Sequence, residues 1–269
     1  MKFRHLVLSA LLASAGVAQA VPVTLIAADD FGSGLPTVAS VNLSGQNTGT
    51  GWGGAWTGSS VAKVVNASVA DAGMSGGALQ VSGNNNTVAT RQLASAVSRD
   101  VLVEFMFQFD AGSISNNDFL GLWFDNSNGP NIGLKANCGT GGSCTSDLFV
   151  RTNGTAGAFS TNLTLGSTVR IVGLLEKTGT STVYNKYSLW VDPSANEFDT
   201  LTGADAVFTG SSGLSSFDKI GLRSATLAGG DRLLIDNLKI SVIPEPAALG
   251  LLGAAFLGAS FASRRSKKA

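Results

Sequence analysis

The run Val101-Leu102-Val103-Glu104-Phe105-Met106-Phe107-Gln108-Phe109-Asp110 sets the tightest limit on what this chain can fold into. Every odd position from 101 to 109 is Val or Phe, so an extended backbone places five large apolar side chains on one face. A helix would scatter the same residues around its circumference. The even positions mix Leu, Met, Glu and Gln, which predicts a second face that is only partly covered. So one-sided a strand must lay its apolar face on another layer of structure.

Further segments read the same way, at 23–28, 61–66, 78–82, 119–125, 131–136, 147–152, 169–176, 183–191, 217–223 and 232–242. Turns of Gly, Asn, Ser and Asp separate them, in a chain with 34 Gly and only 13% charged residues. No stretch of the body offers a convincing amphipathic helix. The expectation is an all-β, antiparallel two-sheet sandwich, because each strand has one face to bury. A barrel or a β-helix accommodates the same strands, although the absence of a fixed-period repeat weighs against β-helix and propeller.

The two ends of the chain read as addresses. Residues 1–20 begin with Lys2, Arg4 and His5, continue through a short apolar run and close on Ala18-Gln19-Ala20. That is the layout of a secretory signal peptide, and the apolar run is too short for a membrane span. At the other end, Pro244-Glu245-Pro246 precedes an uncharged apolar stretch at 247–262, then Arg264, Arg265, Lys267 and Lys268. Sixteen helical residues would reach about 24 Å, a little short of a ~30 Å hydrocarbon core. The basic residues would hold that end in the cytoplasm, as a stop for a marginal anchor helix.

Together these three C-terminal elements resemble the PEP-CTERM sorting signal, here at 244–269. The resemblance implies handling by the secretion machinery and then by an exosortase, in a Gram-negative bacterium that makes exopolysaccharide. It also implies passage across the inner membrane, temporary attachment through the C-terminal helix, and a final place at the cell surface or in the extracellular matrix.

Between Val21 and Ile243 there are 12 Lys and Arg against 17 Asp and Glu, so the body is mildly acidic and offers no general attraction for nucleic acid. About 220 residues suffice for one compact sandwich. Cys138 and Cys144 are the only cysteines. Their spacing is not C-x-x-C, and in an oxidising compartment it predicts a local disulfide across a Gly-rich loop.

A second resemblance covers most of this body. Phe31, then Ser44-Gly45-Gln46-Asn47-Thr48-Gly49-Thr50-Gly51-Trp52-Gly53-Gly54-Ala55-Trp56, is similar to the opening of a LamG or concanavalin A-like jelly-roll domain. Leu189-Trp190-Val191-Asp192-Pro193-Ser194 fits the same pattern, as do Phe217-Asp218-Lys219-Ile220-Gly221-Leu222-Arg223 and Leu234-Ile235-Asp236-Asn237-Leu238. The resemblance implies a jelly roll at 21–243. Relatives in this family use such aspartates in a structural calcium site, which makes Asp30 and Asp236 candidate ligands and calcium the one cofactor suggested. The alternative for both is an ordinary solvated or turn-bonded Asp.

The only histidine is His5, so the body has no imidazole for nucleophilic or zinc chemistry. A glycosidase needs two carboxyl groups about 5–9.5 Å apart. The body holds only Glu104, Glu176 and Glu197, and Glu104 lies about 20 Å along its strand from Asp110. Sugar binding needs an aromatic platform beside hydrogen-bonding groups. Trp52 and Trp56, in their Gly-rich loop, are the candidates for it, and Asp125 and Asn126, in an Asp/Asn-rich turn, are further ligand candidates and a second candidate for calcium; the plainer readings are a plug under the first loop and a hairpin turn in the second. Trp123 and Trp190 sit in apolar strands and read as core. The expectation is a non-catalytic carbohydrate-binding module of the exopolysaccharide matrix. The alternatives are a purely structural envelope protein and a carbohydrate-active enzyme.

Overall fold

The structure, a computed structural model, describes residues 20–32, 40–66, 76–138, 144, 146–154 and 156–244. The signal peptide expected before Ala20 lies outside them, as do Glu245, Pro246, the anchor helix and the basic residues Arg264, Arg265, Lys267 and Lys268.

The described chain folds into sixteen strands and one short helix. First come β1 (Thr24–Asp29), β2 (Ser40–Asn42), β3 (Thr57–Gly58), β4 (Ala62–Val65), β5 (Ala78–Val81) and β6 (Asn85–Val97). Then follow β7 (Val101–Ala111), β8 (Phe119–Phe124), β9 (Asn131–Lys135), β10 (Leu148–Arg151), β11 (Ala158–Ser160) and β12 (Thr168–Glu176). Last are β13 (Lys186–Val191), α1 (Ala195–Thr200), β14 (Ala206–Thr209), β15 (Phe217–Ala225) and β16 (Arg232–Val242).

All eleven predicted segments hold strands, and the two-sheet antiparallel sandwich is what they build. One sheet runs β14-β13-β12-β7-β16-β5-β4-β2, with β1 also on β16; the other runs β11-β10-β9-β8-β15-β6-β3. The alternation at 101–109 does what it implied: Val101, Val103, Phe105, Phe107 and Phe109 all lie in the core. On the other face of β7, Glu104 pairs with Arg170, and Leu102 packs under α1 with Val172, Leu174 and Trp190.

The sheets interlock at particular residues. A Cβ on Gly173 of β12 would lie 2.5 Å from Ile132 Cδ1 and 3.1 Å from Val103 Cγ1, so the missing side chain is the notch that Ile132 fills from the opposite sheet. Phe124 and Tyr187 meet across the same gap with centroids 6.3 Å apart.

The sandwich carries one short helix that buries no residue of its own. Ser194 accepts from the Glu197 N–H while the Glu197 carboxylate accepts from the Ser194 N–H, a reciprocal cap that starts α1. Leu201 closes it with φ 50°. The S-x-x-E signature was present in the sequence, but six residues are too few to show a helical stripe.

Candidate functional site

The Gly-rich loop and its two tryptophans turn out to be an internal brace. Thr50 bridges to Ala28 of β1 and Trp52 to Leu93 of β6, so the loop spans the edges of both sheets. It approaches β1 so closely that a Cβ on Gly51 would fall 1.8 Å from the Ile26 carbonyl oxygen. Beneath it Asp29 is saturated: Oδ1 accepts from the Phe31 N–H and the Thr48 hydroxyl, Oδ2 from the Trp56 indole and Arg91. Arg91 also donates to the Gly54 carbonyl and to Asn47 Oδ1.

Trp56 is therefore corrected as a ligand platform. Its ring is 1% exposed, packed on Phe31, and its N–H is committed to Asp29. Trp52 is half-buried, donates to the Ala28 carbonyl, and carries the Arg91 guanidinium 4.7 Å from its centroid. Burial lowers the Arg91 pKa, and Asp29 counteracts the shift by charge and hydrogen bond. Residues 47–56 and 91 form the plug at the sandwich end.

The register places Asp29 opposite Leu238, which brings Asp30 and Asp236 to one junction, where β16 exchanges β1 for β5 as its neighbour. Asp30 is exposed and accepts from the Gly32 N–H; Asp236 is buried and accepts from the Asn237 N–H. No third acidic side chain joins them within coordinating distance among the described residues. The trio found there is Cys138, Cys144 and Asp147, and its two sulfurs are already spent in the Cys138–Cys144 disulfide. Asp125 and Asn126 shape the β8–β9 turn. Asp125 takes φ 71°, Asn126 donates to it, and the Asn126 side chain and carbonyl accept from the Asn128 and Gly129 N–H groups.

A different surface assembles the chemistry sought in the loop. Along β8, Leu120, Leu122 and Phe124 enter the core, so Phe119, Gly121 and Trp123 point to the outer side of the seven-stranded sheet. Pairing extends that outer face sideways. Trp123 lies opposite Asn131 and Asn131 opposite Arg151; Gly121 lies opposite Arg223 and Gly133, and Gly133 opposite Phe149.

Glycine lets the rings lie down on this face. A Cβ on Gly221 would be 2.1 Å from Trp123 Cζ2, and one on Gly121 would be 2.8 Å from Phe119 Cζ. The Phe119 and Phe149 centroids are 5.4 Å apart, and Phe159 continues the row at 6.2 Å. Phe119, Trp123, Phe149 and Asn131 are thereby buried although they face away from the core.

Two arginines overlie this floor. The Arg151 guanidinium is 5.3 Å from the centroids of both Phe119 and Phe149, and Arg223 is 5.7 Å from Phe119. Arg151 donates to Asn131 Oδ1 at 2.8 Å and to the Gly154 carbonyl. Burial, and then the charge of Arg223, draw the Arg151 pKa down to about 10. Among the described residues neither arginine has a carboxylate within ion-pair distance. Trp123 Nε1 and Arg223 Nε are buried donors without a partner there. The face thus buries most of its rings beneath two positive charges, and the half-buried Phe159 and Arg223 stand at its accessible side.

Sequence reasoning assigned Trp123 to the core and passed over Arg151, Arg223 and Asn131. The signal for them was glycine inside strands, at 121, 133 and 221, which marks close approach of another group to the backbone. The body's glutamates are all engaged: Glu104 with Arg170, Glu176 with Lys186, and Glu197 in the α1 cap.

Comparison with known proteins bears chiefly on the C-terminus. Residues 242–266 match the PEP-CTERM protein-sorting motif, which implies export and sorting to the cell surface. β16 ends at Val242, so motif and sandwich adjoin without a linker. No curated protein matches the chain in sequence. Among solved structures, peanut lectin is 11% identical over 62% of this chain and 87% of its own, with TM-score 0.40. A glycosyl hydrolase family protein from Mycobacterium fortuitum is 11% identical over 81% of this chain and 100% of its own, at 0.44. The VIP36 exoplasmic/lumenal domain, in its Ca2+/Man3GlcNAc-bound form, is 12% identical over 64% and 80%, at 0.43. Likeness at this level says nothing of ligand or chemistry.

Proposed function

We propose that this exported chain is a non-catalytic carbohydrate-binding module, processed by an exosortase and held at the surface or in the exopolysaccharide matrix of a Gram-negative cell. The observation that carries the reading is the outer face of the seven-stranded sheet. A sugar ring packs its C–H face on apolar rings while its hydroxyls seek hydrogen-bonding partners. At its accessible side this face presents the half-buried Phe159 ring, which continues the aromatic row, and the half-buried Arg223 beside Phe119. The export motif supports the setting, since matrix polysaccharide lies outside the cell. A non-catalytic role agrees with the engaged glutamates and with a body that has no histidine.

The test is calorimetric titration of the protein with its host's exopolysaccharide, run in calcium and again in chelator. Saturable binding is expected, weakened about two- to tenfold by Phe159→Ala, which removes the half-exposed end of the aromatic row at a cost typical of one stacked ring. Loss of binding in chelator would direct substitution to Asp30 and Asp236. No heat in either buffer, from protein shown to be folded, overturns the reading in favour of a structural envelope protein. Progressive shortening of the polymer would make it an enzyme instead.

A further inference from the structure

We infer that the ligand of this face is an acidic glycan whose carboxylate is held by the Arg151 and Arg223 guanidinium groups where both meet the Phe119 ring. This rests on the carbohydrate-binding reading and names the class of sugar.

Arg151 and Arg223 leave an electrostatic imbalance on this face. Two like charges brought against one ring repel each other, and the charge that acts on Arg151 is that of Arg223. Elsewhere in the described structure the buried Arg91 has Asp29, the half-buried Arg170 has Glu104, and even the exposed Arg232 has Asp110. Arg151 and Arg223 depart from that habit, and they do so side by side. The Phe119 and Phe149 faces stabilise part of the charge, because the π-cloud is negative, but a ring cannot fill a guanidinium's hydrogen-bond donors. Arg151 spends its Nε on Asn131 and its Nη1 on Gly154, and no described residue takes its Nη2. Arg223 lies over Phe119, and its Nε is a buried donor without a partner. The missing partner is an anion with acceptors spaced for a planar fork, which describes a carboxylate.

The surroundings favour a sugar acid over an arbitrary polyanion. The body carries 12 Lys and Arg against 17 Asp and Glu, so its overall field repels negative polymers. Attraction has to come from a local site. The half-buried Phe159 ring, at the end of the aromatic row, then gives the pyranose C–H face its surface.

The experiment titrates the protein with oligomers of galacturonate, glucuronate and mannuronate, with the carboxyl-reduced neutral oligomer of each, and with dextran sulfate as a polyanion that lacks carboxylates. The expected result is at least tenfold tighter binding of a uronate oligomer than of its reduced form, with dextran sulfate weaker still. Arg223→Gln should remove that preference while leaving the unfolding midpoint within a degree or two, since no hydrogen bond or ion pair to a described residue is lost with the side chain. Arg223→Lys, which keeps the charge and loses the fork, should restore only part of it. Equal affinity for acidic and neutral oligomers, unchanged in Arg223→Gln, overturns the acidic specificity and leaves the carbohydrate-binding reading standing. Equal binding of uronate oligomers and dextran sulfate overturns it in favour of general charge attraction. No binding of any glycan, with the protein folded, overturns both readings together.

Discussion

Asp29 and Arg91 stand on strands of opposite sheets and meet in an ion pair whose side chains are 0% and 1% exposed. Both Asp29 oxygens accept two hydrogen bonds, and three Arg91 nitrogens donate, so the pair is fully wired into the loop above it. Arg91→Met leaves a buried carboxylate without its cation and should cost about 3–5 kcal/mol. Replacing both residues by apolar ones removes the stranded charge but orphans the Phe31, Thr48 and Trp56 donors, so the double change should recover little of that loss. Urea unfolding of the two single variants and the double variant measures this. A loss below about 1 kcal/mol for Arg91→Met would show that the brace holds without the pair.

This ion pair also marks where the sequence stopped being readable. β7 and its neighbours could be found because alternation in hydropathy is the direct consequence of one buried face. β6, the longest strand at 13 residues, has no such signature: Arg91 points inward and Ala94, Ser95 and Ala96 are exposed. Nothing in residues 85–97 reveals that Asp29, 62 positions earlier, supplies the countercharge. The sequence leaves Trp56 between platform and plug for the same reason, since the close approach of the loop's glycines to β1 shows only in the fold. The outer-face cluster was hidden further, because its members come from separate strands and only pairing register aligns them.

Gly221 should be intolerant of any side chain. Its Cβ would enter the space of the Trp123 ring and lie 2.6 Å from the Ala89 carbonyl oxygen. Gly221→Ala must lift the indole off the sheet, at a cost of about 1–3 kcal/mol, as overpacked sites show. Gly229→Ala, where no atom lies within 4 Å, serves as the control and should change stability by less than about 0.5 kcal/mol. Thermal unfolding compares them, and a Trp123→Phe background shows whether the indole's emission is what moves.

The Cys138–Cys144 bridge closes a loop with sequence separation 6. So small a ring restricts the unfolded chain modestly, and its loss should cost about 2 kcal/mol by the loop-entropy relation. The joint Cys138→Ser, Cys144→Ser variant should unfold at lower urea, and reducing agent should lower the wild-type midpoint to the variant's. A variant whose midpoint still falls in reducing agent would contradict this, since Cys138 and Cys144 are the only cysteines.

Asp118 should make the protein less stable as pH rises toward neutrality. It is fully buried, with Oδ2 accepting from the Ser115 N–H at 2.6 Å and Oδ1 left without a partner. Burial is the main cause that raises its pKa to about 6; the Ser115 hydrogen bond opposes the shift, and the charges of Asp231 and Asp147 add to it. The unfolded chain's aspartate titrates near 3.9. Between those values the folded state binds more proton than the unfolded one, so stability falls with rising pH. The contribution is complete below about pH 4 and is lost as pH climbs through 6. Asp118→Asn keeps an oxygen for Ser115 and carries no charge. Its stability relative to wild type should therefore improve between pH 4 and pH 7, by about 2 kcal/mol, and then level off. Urea midpoints at pH 4, 5.5 and 7.5 for both proteins give the difference directly. A difference that stays constant across the three would mean that Asp118 does not change its protonation there, and that the neighbouring acids govern the pH response.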